Sequence, residues 1–310
     1  DLSQDGLRIA TAGDDQVLRL WQTRDGRQIW ATKKLGNPLK ALDVDPQDRL
    51  IAASDVGGKV HVHSMDDGAK KFTLTGHTHP IPFVRFLSDS TRLLTAGADS
   101  KTSDEGRATV WSLADQSEQQ TLYRPNVITA ADVNSAGTLL ATVEDGDADG
   151  HIVRLWSLPE LQPRGQIGDH SKKIRHVRIA PDGNSLVTAS DDGTARVFQL
   201  NGKCTADIQV GLPVRFATFS SDGQQVLTCS VGKGGSAQLW RVSDASEVLQ
   251  FQGHRNPMWG SLNSKGTWAA TSARDGTTCI WPTNPVAVAK RLPIQSTNSA
   301  VLPPPSSKPR

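Results

Sequence analysis

A large ring side chain returns along this chain at nearly constant spacing. Trp21, His63, Trp111, Trp156, Phe198, Trp240 and Trp281 stand 41 to 48 residues apart. Each ends a short apolar run, and two further runs precede each one. The copy from Gly168 to Leu200 shows the unit most clearly. Its runs are Ile174 to Ala180, Ser185 to Ala189 and Ala195 to Leu200, separated by Pro181-Asp182-Gly183 and Asp191-Asp192-Gly193. Asp-Gly between alternating apolar residues signals a hairpin, because glycine takes the turn's positive φ without steric cost. A fourth run follows each ring position, as in Arg27 to Thr32, Lys70 to Leu74 and Val248 to Phe251. One unit is therefore an antiparallel meander of four strands. Such a unit cannot bury both its faces alone, so the copies must stack on one another.

Composition removes several partner classes. The 310 residues carry a formal charge of only +2, without the basic stripe that neutralises nucleic-acid phosphates. No apolar run reaches the roughly 18 residues of a membrane helix. Cys204, Cys229 and Cys279 are widely spaced with no C-x-x-C, which reads as reduced strand residues. A cytoplasmic, monomeric ring is expected, with no nucleic-acid or membrane partner and no cofactor.

The recurring residues are Gly-His before the first strand (Gly76-His77, Gly253-His254), Ser-x-Asp-Gly, Asp-Gly, and then apolar-Arg-apolar-Trp. They closely resemble the WD40 repeat, over residues 1 to 292, in an array of bacterial appearance. The resemblance implies an all-β fold: a seven-bladed β-propeller of four-stranded antiparallel blades around a central channel. His254 precedes Trp281 by 27 residues, and the same offset from Trp21 falls before Asp1. The inner strand of the first blade should therefore be incomplete, as in a domain cut from a longer polypeptide. Residues 285 to 291 are expected as the outer strand of blade seven, and 293 to 310 as a Pro/Ser-rich flexible tail or linker.

In WD40 proteins a His of the loop leading into the first strand, a Ser or Thr of the second strand and an Asp of the next turn join the Trp in a hydrogen-bonded network. The resemblance carries this onto His254, Thr271, Asp275 and Trp281, onto Thr11, Asp15 and Trp21, and onto His170, Thr188 and Asp192, where Phe198 replaces the indole. A His–Thr–Asp set also reads as a catalytic triad, but its return at blade spacing marks a strand staple. Copy two departs most, with Ala53, Gly57 and His63 at the Thr, Asp and Trp positions. His61 and His63 share a strand face; with no carboxylate or cysteine near in sequence they read as structural, as do His77 and His79.

The copies differ mainly in one loop. The Thr-to-Trp spacing is 10 residues in copies one, two, five and seven, but 16, 14 and 12 in copies three, four and six. In a propeller these loops lie on one face with the leading loops, and insertions there often mark the binding face, although tolerant loops also drift. The copy-four insertion contains Asp145, Asp147 and Asp149, the front half of a calcium loop. Trp156 stands where the closing Glu is needed, so a solvated acidic turn is the expected reading. Lys172, Lys173 and Arg175 make the next leading loop basic, and Arg215, Lys233 and Arg255 continue the pattern. Met258 and Trp259 are candidate anchors at the channel mouth.

No nucleophile elbow, phosphate loop or complete metal set is present. The expected function is a non-catalytic scaffold that binds proteins or peptides through one face. The alternatives are the sensor or scaffold arm of a larger enzyme, such as a kinase, and a propeller hydrolase with ligands around the channel.

Overall fold

The computed structural model describes residues 1–98, 105–145, 151–251, 256–263, 265–273 and 277–283, and the backbone of Ile294–Gln295. Seven antiparallel sheets follow one another, each a meander whose spatial strand order is its sequence order. Blade five is typical: Ile174–Ile179, Ser185–Ser190, Thr194–Gln199 and Cys204–Gln209. Its turns use Gly183 at φ 72° and Gly193 at φ 90°, where any side chain is strained. Second strands such as Leu139–Glu144 are buried throughout. Outer strands such as Glu118–Arg124 are polar and largely exposed, which blunts the sheet edge against stray pairing.

Blade one has three strands, Arg8–Ala12, Leu18–Gln22 and Gln28–Ala31. A single bridge, Leu2 to Ile9, stands where the inner strand is missing. In blade seven the fourth strand is Ile294–Gln295, paired with Thr278 and Thr277. The blade thus extends past the expected boundary at 292, because an outer strand must span the third strand to reach Thr277. Residues 285 to 291, and the tail from 296 on, lie outside the described residues.

Among the described residues the buried apolar side chains form seven clusters, one at each boundary between successive blades. The cluster of Ile9, Trp21 and Ala270 joins blade one to blade seven and closes the ring. Each Trp or Phe ring on a third strand packs against the preceding blade, as Trp156 does against blade three. Truncating such a group leaves a cavity costing about 3–5 kcal/mol. Blade two fills the same boundary differently. Met65 is fully buried there, and Trp30 of blade one packs against it and donates its indole N–H to the Met65 carbonyl at 2.9 Å.

Candidate functional site

The third-strand indoles each donate to a second-strand threonine: Trp21 to Thr11, Trp111 to Thr95, Trp240 to Thr228 and Trp281 to Thr271 at 2.8 Å, and Trp156 to Thr142 at 2.9 Å. Blade three adds His77, whose Nε2 lies 2.8 Å from the Thr95 hydroxyl. In blade five the structure brings His170, Thr188 and Asp192 together. His170 Nδ1 lies 2.8 Å from Asp192 and Nε2 lies 2.6 Å from Thr188. Phe198 offers only an edge contact to the imidazole, at 6.4 Å between ring centres. Burial works against the Asp192 carboxylate, but hydrogen bonds from Thr194 and His170 outweigh it, and its pKa falls from 3.8 to about 2. Burial also lowers the pKa of His170, against the opposing pull of Asp192. Thr188 is fully enclosed and no substrate can reach it. The set staples strands.

Three expectations need correction or completion. Asp15 does not join Thr11 and Trp21. It binds Arg19 at 2.6 Å and accepts the Val17 N–H instead. Blade two has its turn carboxylate after all, at Asp55, two residues before the position sought. Asp55 accepts from Asn37, Gly57 and Lys59 and meets His61 at 3.0 Å. His63 turns to the Gly68 carbonyl at 2.9 Å, so His61 and His63 serve separate partners. Of the blade-seven quartet, His254 and Asp275 lie outside the described residues. Blade four, which has no leading-loop histidine, uses the buried Glu144, which accepts Arg124 at 2.8 Å and lies 3.3 Å from Arg154.

The channel holds a layer of charge that the repeat pattern did not single out. Pairing with the second strands puts Asp43, Arg85, Asp132, Arg178, Thr218 and Ser261 at one register on the inner strands of blades two to seven. Asp1 occupies the same place in blade one, exchanging hydrogen bonds with Ala10. The carboxylates reach across blade boundaries. Asp1 accepts the Val44 N–H at 3.3 Å, Asp43 that of Phe86 and Asp132 that of Ile179, both at 2.7 Å. Arg85 bridges Asp43 at 3.2 Å and Asp132 at 3.5 Å, and Arg178 meets Asp132 at 3.3 Å. The signal in the sequence was the alternation of Asp and Arg at one repeat position, visible only once the register was known.

Two residues nearer the leading-loop face lies an aromatic cluster. Phe216 lies 4.2 Å from His176 between ring centres, and Trp259 sets its edge against both at 5.4 and 5.9 Å. His176 Nδ1 bonds the Ala217 carbonyl at 2.9 Å, and burial, helped by Arg178, drives its pKa down to about 3. Trp259 is 50% exposed, while Met258 is half-buried.

The basic residues around the mouth are partly spent. Arg175 binds Asp191 through Nε at 2.8 Å, and Arg215 meets the same carboxylate at 3.5 Å. Lys173 reaches Asp145 of blade four at 2.5 Å, so the acidic insertion is tied to the basic loop. Asp147, Asp149 and Arg255 lie outside the described residues. Lys172 is exposed, and so is Lys233 at the tip of the blade-six insertion. That loop is fastened to blade seven by the Asn256 amide oxygen, which accepts the Gly232 N–H at 2.9 Å.

The repeat family described as WD domain, G-beta repeat matches residues 68–113, 161–199 and 245–282. The chain carries WD40 repeats. The matched spans end beside Trp111, Phe198 and Trp281, in the three copies with His77, His170 and His254 in their leading loops. Target of rapamycin complex subunit LST8 of Mus musculus is 24% identical over 285 residues, 84% of this chain and 82% of that protein. Autophagy-related protein 16 of Arabidopsis thaliana is 23% identical over 88% of this chain, which spans 53% of its length. Transducin beta-like protein 3 of Rattus norvegicus is 30% identical over 88% of this chain and 41% of its own. These animal and plant relatives lend no support to a bacterial character for the WD40 array.

Proposed function

We propose that this WD40 ring is a non-catalytic scaffold that holds protein or peptide partners on its leading-loop face. The observation that carries the reading is Trp259. It is half exposed and packs against Phe216 and His176, and the exposed Lys172 and Lys233 stand on the leading loop of blade five and the insertion of blade six. A rigid aromatic anchor within a polar rim is the usual anatomy of a protein-binding hot spot. The hydrolase alternative asks for inward carboxylates with free lone pairs. Asp43 and Asp132 point inward but spend theirs on backbone N–H groups and guanidinium. Cys204 and Cys229, neither in a disulfide, fit the proposal of a cytoplasmic location.

A second reading, an arm of a larger enzyme assembly, is favoured by the relative named as a Target of rapamycin complex subunit. Affinity capture separates a binding face from a passive spacer. The 310-residue chain is compared with Trp259→Ala and with the triple reversal Lys172→Glu, Lys173→Glu, Arg175→Glu. Loss of the same captured proteins in both variants, with thermal unfolding unchanged, is the expected result. Unchanged capture counts against this face.

A further inference from the structure

The charged layer of the channel is closed on one side and open on the other. From blade one to blade four every carboxylate has an N–H acceptor role, and Arg85 is held from both sides. From blade five to blade seven the same register offers Arg178, Thr218 and Ser261. Among the described residues Arg178 makes one ion-pair contact, with Asp132, and feels Asp43 only at longer range, while 29% of its side chain remains exposed. The Thr218 and Ser261 hydroxyls have no partner there.

The backbone follows this division except at Val133 of blade four, where the preceding blade supplies Arg85 and no carboxylate. The N–H groups of Val44, Phe86 and Ile179, each one residue past the charged register, turn into the channel and bond the preceding blade's Asp. Phe219 and Leu262 hold the equivalent positions in blades six and seven, pairing with Val226 and Ala269. The preceding blades supply Arg178 and Thr218 there, neither of which is an acceptor carboxylate. The open arc therefore presents two hydroxyls and two strand N–H groups beside a guanidinium that shares its one carboxylate, Asp132, with Arg85. A carboxylate placed there would repeat what Asp132 does inside the protein, accepting from a strand N–H and from a guanidinium together.

We propose that this open arc is a carboxylate subsite, filled by the acidic side chain of a partner peptide that enters past Trp259. The proposal rests on the scaffold reading and names the chemistry of its partner. Trp259 stands two residues before Ser261 on the same strand, about 7 Å toward the leading-loop face. An apolar residue beside the acid packs on the exposed indole, while Lys172 and Lys233 favour a peptide of net negative charge.

The test is selection from a random peptide library displayed on phage, with the 310-residue chain as bait beside Arg178→Gln and Thr218→Asp. Thr218→Asp places a carboxylate inside the arc, between Arg178 and the Leu262 N–H, and so plugs the site from within. Both variants are first checked for cooperative unfolding, and Thr218→Asp is expected to raise the unfolding midpoint. The wild type should enrich Asp or Glu next to an apolar residue, and both variants should lose that preference. Sodium acetate should displace a selected peptide only at concentrations at least about 100-fold higher than a second copy of the peptide itself. Enrichment without an acid preference, or one retained in both variants, overturns the subsite but leaves the scaffold. Acetate matching the peptide overturns the peptide as occupant. No enrichment by the wild type overturns the subsite and the scaffold reading together.

Discussion

The carboxylate of Asp132 accepts the backbone N–H of Ile179, one blade further round the ring, at 2.7 Å. The same carboxylate lies within reach of Arg85 and Arg178. One side chain thus holds inner strands of three successive blades, and it is almost wholly buried. Removing one member of a buried ionic set leaves the others uncompensated, at a cost of about 3–5 kcal/mol. Asp132→Ala should therefore lower stability by about 3 kcal/mol in urea denaturation at pH 7. A loss under about 1 kcal/mol would show that the layer is ornamental to the fold.

The threonine staples predict a graded series. Among the described residues Thr228 accepts only the Trp240 indole N–H from side chains, while Thr95 takes the Trp111 N–H and also meets His77. Both threonines are fully enclosed. Valine keeps the shape and deletes the hydroxyl, so Thr228→Val strands one donor, at about 1–3 kcal/mol. Thr95→Val strands the indole and the imidazole, and should cost about 1 kcal/mol more. Equal losses in thermal unfolding would mean that His77 contributes nothing through Thr95.

Much of this was legible from the chain. The return of Trp21, Trp111, Trp156, Trp240 and Trp281, with Asp-Gly turns between runs, is a local signal that fixes blade number and strand order. The short first blade followed from the offset between His254 and Trp281. Trp30 and Asp55 escaped notice because each does a familiar job from an unfamiliar position. The charged layer escaped for another reason. Asp43 and Phe86, or Asp132 and Ile179, meet across a blade boundary, more than forty residues apart. Nothing in a one-dimensional pattern relates them until strand register is fixed.

His176 predicts an acid-sensitive ring. Burial holds its folded-state pKa at about 3, against 6.5 for the ordinary side chain. Below pH 6.5 the unfolded chain takes up this proton and the folded chain does not, so stability falls as pH falls, by up to about 1.4 kcal/mol per unit. The decline from this group ends near pH 3. Burial lowers the His170 pKa as well, which adds to the decline in the same direction. His176→Gln keeps a donor for the Ala217 carbonyl and does not titrate. Its stability should fall more gently between pH 6 and pH 4 than that of the wild type. Parallel curves would remove His176 as a cause.

The Lys173–Asp145 pair decides how the capture experiment is read. The contact is short, at 2.5 Å, but the two side chains are 51% and 41% exposed. Water and salt screen such a pair, and exposed ion pairs contribute about 0–1 kcal/mol. Lys173→Glu should therefore move the unfolding midpoint little, even though it sets two carboxylates against each other. The double exchange Lys173→Asp, Asp145→Lys should return the midpoint to the wild-type value. If Lys173→Glu alone costs more than about 2 kcal/mol, the loop is a structural strut between blades four and five. A loss of capture in the triple reversal would then reflect a deformed face. With a small cost, the same loss reports on the partner's charge.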